Sequence, residues 1–227
     1  MVRGKSEPTQ EVFNMVRKIT EKVPEAQLQK DLQKYKQRSL GLGATDARVI
    51  TTDDIIIDER VLAKCSYPKC PGYGTNANCP PYAMSIDQVR KVVDKFRYVI
   101  FIKIEVPSQN TTGEEAIKKD LTMPYRRQLA EIVSKIEAEA FYDGYHLAVG
   151  FGSGSCKMLF CPDTECVALV PGKPCPHRLK ARSPVEGVGM DVYTMATKVG
   201  WDIYPIGIGT SPEEVPYGLR LGLVLIY

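Results

Sequence analysis

The residues most able to do chemistry in this chain are its seven cysteines. They fall in two windows, Cys65-x4-Cys70-x8-Cys79 and Cys156-x4-Cys161-x4-Cys166-x8-Cys175, and none lies outside them. Cysteines that serve as small core hydrophobes sit among periodic apolar residues, whereas these sit among proline, glycine and polar side chains. Proline directly follows Cys70, Cys79, Cys161 and Cys175. A residue before proline is pushed out of helical space into extended backbone, which suits a side chain pointing into a loop-enclosed centre. Seven is an odd number for a disulfide framework, and 227 residues suffice for a core without covalent staples. Metal or redox chemistry is therefore the default reading.

Spacing and donor softness narrow the metal. Structural zinc sites use close cysteine pairs, and neither window holds a two-residue gap, although a four-residue gap still falls within the zinc range. Iron–sulfur clusters tolerate wider spacing and include a known pattern with a four-residue gap. The reading is one or two [4Fe-4S] clusters, with zinc as the alternative and metal-free redox thiols third. Cys156, Cys161, Cys166 and Cys175 are enough to ligate one cubane fully. Cys65, Cys70 and Cys79 are one ligand short, so one iron would stay open to a substrate or another ligand, unless the windows interleave around shared centres.

Other groups near the cysteines bear on such a centre. His177 follows Cys175 by two residues and is a candidate donor behind the ligands, with Arg182 and Glu186 just beyond. His146 reads as a packed histidine. Gly150-x-Gly152-x-Gly154 lacks the third glycine spacing and the helix of a dinucleotide loop, and reads as letting backbone amides approach the centre. Each cysteine stretch leads to an expected capped helix start, Ser85 and Ser183, whose dipole favours nearby negative charge.

The elements that must position these residues follow from periodicity. A helix is expected over 9–39, with Val12, Val16, Ile19 and Val23 at helical spacing and an interruption near Pro24. Ala47–Thr51 and Ile55–Ile57 read as paired strands about an Asp53–Asp54 turn. Residues 65–84 hold three Cys, four Pro and two Gly, a composition that forms no regular element. Ser85 with Gln88 opens a helix to about Phe96, and Tyr98–Val106 is a buried strand. Thr112 with Glu115 opens a helical region that Pro124 breaks and that resumes to about Tyr142. His146–Phe151 is a strand leading into a second irregular stretch, 152–182. Ser183, Pro184 and Glu186 start a helix to Lys198, stopped by Gly200; Asp191 on it has no evident role. Asp202–Ile206 and Leu219–Tyr227 are the last strands. The expectation is a single α/β domain over 1–227, a mixed sheet flanked by helices with two irregular cysteine-rich metal-binding loops.

Composition excludes several classes. With 44% apolar and 25% charged residues, the chain is neither disordered nor fibrous. Thirty basic and twenty-seven acidic side chains leave +3 without a basic block, so nucleic acid is not an expected partner. The opening MVRGKSEPTQ lacks the apolar core of a secretory signal, and Tyr98–Val106 is far too short to span a bilayer. A cytoplasmic protein without a membrane partner is expected. A redox protein partner and a homodimer are both compatible with the chain.

The run Cys65–Tyr82, with its CPGYG and CPPY pieces, and the segment CPHRLKARSPVEGVGMDVYTMATKVGW after the second cysteine cluster resemble a family of predicted metal-binding, cysteine-rich proteins found largely in anaerobic bacteria and archaea. GLGATDARVI and IIIDERV share in the likeness, which covers most of the chain. Members tend to show Ala-Arg-Pro-Ser-Met-Glu-Ala; here Arg182 and Glu186 keep their places while Ser183-Pro184 reverses the order. The resemblance implies metal binding by cysteine and leaves the reaction open. The functional expectation is an electron-transfer or redox accessory protein of anaerobic metabolism. Its alternatives are an enzyme using an open iron for sulfur removal or transfer, and a zinc-stapled binding module.

Overall fold

The computed structural model describes residues 16–227. Four strands form one sheet: β1 (Asp46–Thr51), β2 (Tyr98–Pro107), β3 (Val149–Phe151) and β4 (Tyr217–Leu225), in the order β1-β2-β4-β3. All three pairings are antiparallel rather than mixed in direction. The topology explains this. β1 and β2 are neighbours joined by the stretch carrying the first three cysteines, and β3 and β4 are neighbours joined by the stretch carrying the other four. No crossover helix lies between parallel neighbours, so each returning chain pairs antiparallel.

β2 is buried along nearly its whole length because both faces of the sheet are covered. Side chains alternate, so Ile100, Ile102 and Ile104 enter one layer while Val99 and Phe101 enter the other. The first layer is closed by α1 (Glu25–Gly41), through Leu28, Leu32 and Tyr35, and by the long helix α6 (Met123–Tyr142), through Leu129, Ile132 and Ile136. The second layer holds α3 (Ile86–Val93), α8 (Val192–Lys198) and the turn before α8, with Val89, Met190, Met195 and Trp201 at its centre. The rings of Phe101 and Trp201 stack at 4.8 Å. The cysteine stretches lie against this second layer and α6. Among the described residues, no helix is long and apolar enough to cross a membrane.

Local chemistry moved several boundaries. Residues 1–15, including Val12, lie outside the described residues, and 16–24 carry no helix, so the first helix starts after Pro24 rather than bending there. Ile55–Ile57 is not a strand. Thr52–Asp54 makes a 3-10 turn and Ile57 forms only a single bridge to Met190, because β1 takes β2 as its partner. A helix that periodicity did not suggest, α2 (Glu59–Ser66), follows, with Asp58 accepting from Arg60 N at 2.8 Å. The Ser85–Gln88 capping box is present in full. After β2 come two short helices, α4 (Ser108–Thr111) and α5 (Gly113–Lys118); the Thr112 hydroxyl donates back to Ser108 O instead of capping α5. Pro124 sits in the first turn of α6, where its missing N–H costs nothing, so it starts a helix instead of breaking one.

The Ser183 helix start is also overturned. The backbone of 183–185 bridges Gly152, with Gly152 N donating to Ser183 O and Val185 N to Gly152 O, both at 2.9 Å. A 3-10 turn (Glu186–Val188) follows, and Gly189 turns left-handed at φ 87°. α8 begins only at Val192, capped by Asp191, whose carboxylate accepts from Tyr193 N and Thr194 N. Asp191, not Ser183, is thus the cap of this helix. Asp202–Ile206 is not a strand, since Pro205 lacks the donor a ladder needs.

Asp31 ties α1 to the chain before it and to the loop after α6. Its carboxylate pairs with Arg17 and accepts from Tyr145 Oη at 2.7 Å and Gln27 Nε2 at 2.9 Å. Burial alone would raise this carboxyl, and these hydrogen bonds outweigh it and hold it below the usual range. A depressed carboxylate contributes stability above its unfolded value, about pH 4, and that contribution is lost as pH falls through the folded value. Asp31→Asn is expected to cost about 2 kcal/mol at neutral pH. It should also flatten the acid limb of the stability profile, as followed by denaturant unfolding between pH 3 and 7.

Candidate metal centre

The first three cysteines meet at one cavity. Cys65 stands in the last turn of α2, so this window opens on a helix and becomes irregular only afterwards. Consecutive turns then carry the chain, with Cys70 N donating to Cys65 O and Tyr73 N to Cys70 O, each at 2.9 Å. Cys79 is buried, Cys65 half-buried and Cys70 exposed. All three line a cavity of about 530 Å³ that continues past Ser153, Gly154 and Ser155 to Arg126, Glu186 and Arg220.

The other four line a separate cavity of about 240 Å³. Cys156 opens the short helix α7 (Cys156–Phe160) and is buried, while Cys161, Cys166 and Cys175 are half-buried in the turns that follow. His177 stands in the wall of this cavity, its ring stacked on Phe160 at 5.4 Å. Arg182 ties the end of the stretch to α6: its Nε donates to Glu137 Oε2 at 2.5 Å and its Nη1 to Arg178 O and Ala181 O. All seven thiols are free.

Asn76, fully buried, stands between the two sets. Its Nδ2 donates to Gly72 O at 3.2 Å and Ser155 Oγ at 3.0 Å, while its Oδ1 accepts from Asn78 N at 3.0 Å and the Cys156 thiol at 3.4 Å. Asn78 Nδ2 reaches the same sulfur at 3.4 Å. One amide therefore links the first cysteine stretch to the first residue of the second. Asn76→Ala would strand several of these buried partners and is expected to cost about 2–3 kcal/mol, measurable by denaturant unfolding.

Thiol electrostatics follow the same grouping except for one coupling across it, between Cys79 and Cys156. Burial pushes Cys65 up, helped by Cys70, Cys79 and Glu186. Burial likewise raises Cys79, with Cys70 adding to it. Cys156 is pushed up to about 11 by burial, with Cys79, Cys166 and Cys175 contributing, and Cys161 is raised by burial and by Cys175 and Cys166. Thiols packed this way resist ionising together, and a bound cation would offset that resistance. Among the described residues, no three His, Cys, Asp or Glu side chains are gathered closely enough to hold a single metal ion. The donor set in each cavity is nonetheless soft thiolate, which suits zinc or iron–sulfur rather than calcium or magnesium.

The flanking candidates divide. Glu186 makes no capping box; it lines the three-thiol cavity and a second one of about 310 Å³, and burial raises its carboxyl although Arg220 and Arg126 act against this. Ser183 reaches Asn78 instead of capping. Gly154, at φ 75°, borders the three-thiol cavity, but Gly150 has another role: a Cβ there would stand 2.6 Å from Val133 and 2.7 Å from Glu137, so it admits α6. His146 lines a different cavity with Tyr145 and Tyr227. Arg126, Arg220, Asn76 and Asn78 were not singled out from sequence. Arg220 carried a legible signal, a charge inside an otherwise apolar terminal strand.

A family profile described as predicted metal-binding protein (DUF2284) matches residues 48–226, the part of the chain that holds both cysteine sets. The chain belongs to the DUF2284 family. No curated protein and no solved structure matches it. For this DUF2284 protein the family description and the thiols agree on metal binding, and the match begins inside β1 and ends just after β4, so it takes in all of the sheet but the first two residues of β1.

Proposed function

We propose that this protein is an iron–sulfur redox protein with two unlike centres. Cys156, Cys161, Cys166 and Cys175 would hold one [4Fe-4S] cluster fully ligated, as an electron relay. Cys65, Cys70 and Cys79 would hold a second with one iron position left to a small molecule. The observation that carries this reading is the separation of the thiols: four line a small cavity, and three line a larger one that runs on to Arg126, Glu186 and Arg220. A pure electron carrier has no use for the second arrangement. When bound, such a cluster supplies a Lewis-acidic iron next to a source of single electrons.

The chain's own residues have separable parts in this reading. Asn76 keeps the two sets adjacent, His177 and Phe160 close one side of the relay centre, and Glu186 is placed to hold or give a proton in the three-thiol cavity. Val170, inside the second set of cysteines, and Leu179, just after it, are exposed and are the side chains we assign to contact with a redox protein partner. Mild oxidation of the anaerobically purified protein tests the asymmetry. We expect about one iron per chain to be released and a three-iron paramagnetic signal to appear while the other cluster persists. Retention of all iron with no such signal would contradict an open three-cysteine centre.

A further inference from the structure

We propose that Arg126 and Arg220, with Glu186 beside them, bind the carboxylate of a small organic acid whose apolar body lies in the three-thiol cavity. Arg220 lies on β4. Its Nε is buried and has no hydrogen-bond partner, its Nη1 donates only to the neighbouring Leu219 O at 2.8 Å, and it forms no salt bridge among the described residues. Arg126, in the first turn of α6, reaches Asp120 only at 3.5 Å, and its stem packs against Gly154 at the cavity edge. The two guanidiniums are near enough to repel; Glu186 and Asp120 are the carboxylates that act on Arg220, and Glu186 is the one that lines the cavity with both arginines.

Arg220 Nε is a buried charged donor with no acceptor, which is costly unless a ligand supplies one. A carboxylate matches a guanidinium fork with two parallel hydrogen bonds, and Arg220 Nε is the donor left free for one. Much of the remaining wall is apolar, with Val61, Met158, Pro184, Met190 and Val192, although Lys64 and Asp191 also line it. This favours an acid with a hydrocarbon or aromatic body over a bare inorganic anion. About 530 Å³ is the size of an ordinary small-molecule pocket. The adjoining cavity of about 310 Å³ shares Ser153, Glu186, Val192, Tyr193 and Arg220, so the arginine stands where the two spaces meet.

As the substrate class of the open centre this inference rests on the two-centre reading; as a binding site it stands on the arginines alone. Benzoate is the probe, titrated by calorimetry into the anaerobically purified protein with metal content measured on the same sample. The expected result is saturable binding at one site per chain, with a dissociation constant on the order of 1 mM and no saturable binding of benzyl alcohol. Arg220→Met and Arg126→Met should each weaken benzoate by about tenfold or more. If Arg220→Met fails to fold, Arg126→Met and Arg220→Lys carry the comparison. Absence of benzoate binding to folded, metal-loaded protein, or variants that bind as well as the parent, overturns the site. Binding by a protein that holds zinc or no metal supports the site while removing the two-centre reading.

Discussion

Replacing Cys156 and Cys161 together by serine is expected to lower the iron of the anaerobically purified chain from about eight atoms to about four. Both sulfurs belong to the four-thiol cavity, and with them gone only Cys166 and Cys175 remain there, too few to hold a cubane. Cys65, Cys70 and Cys79 line another cavity and keep their three ligands. The result reads the partition directly. If the two windows interleaved around shared centres, the same variant would lose nearly all its iron. Cys156 also accepts from Asn78 and donates to Asn76, so the variant should unfold at lower denaturant as well.

Stripping the metal is expected to open both cysteine stretches while the sheet persists longer. The first stretch between α2 and α3 is held by turns, and the second, over 152–182, contains only α7 and a 3-10 turn (Val167–Leu169). Thiolate–metal bonding is folding free energy in such segments, roughly 10–16 kcal/mol for a structural zinc site, which is comparable with the whole stability of a domain. After chelation under reducing conditions, trypsin should cut at Lys64, Lys69, Lys157, Arg178 and Lys180 about a hundredfold faster than in the loaded protein. An unchanged cleavage rate would mean that backbone packing alone shapes these stretches. The bridges Gly152–Pro184 and Ile57–Met190 lie at the bases of the loops, so cleavage should stay between them.

Much of the frame was legible where one physical rule dominates. β2 is a run of apolar residues that only a doubly covered strand can bury, and α6 and α3 announce themselves by periodicity and by the Ser85–Gln88 box. The errors cluster where tertiary contacts compete with a local motif. Ser183-Pro184-Val185-Glu186 has the residue types of a helix start, yet backbone bridges to Gly152 claim Ser183 and Val185 first, and the cap passes to Asp191. Pro124 has the type of a helix breaker, yet it occupies the one turn of a helix that needs no donor from it.

The site divides in the same way. Local spacing separated three cysteines from four, and the two cavities repeat that grouping. Arg126 and Arg220 come from elements far apart in sequence and meet only through the sheet, so no spacing rule points to them. Asn76 and Asn78 are ordinary turn residues by type; that they bond across to Ser155 and Cys156 is a property of the fold.

The most direct measurement is the iron, zinc and acid-labile sulfide content of the protein purified without exposure to air or chelator. The account predicts about eight iron and eight sulfide per chain, with a brown absorption that bleaches on reduction. One or two zinc atoms without sulfide, or seven reactive thiols and no metal, would contradict it.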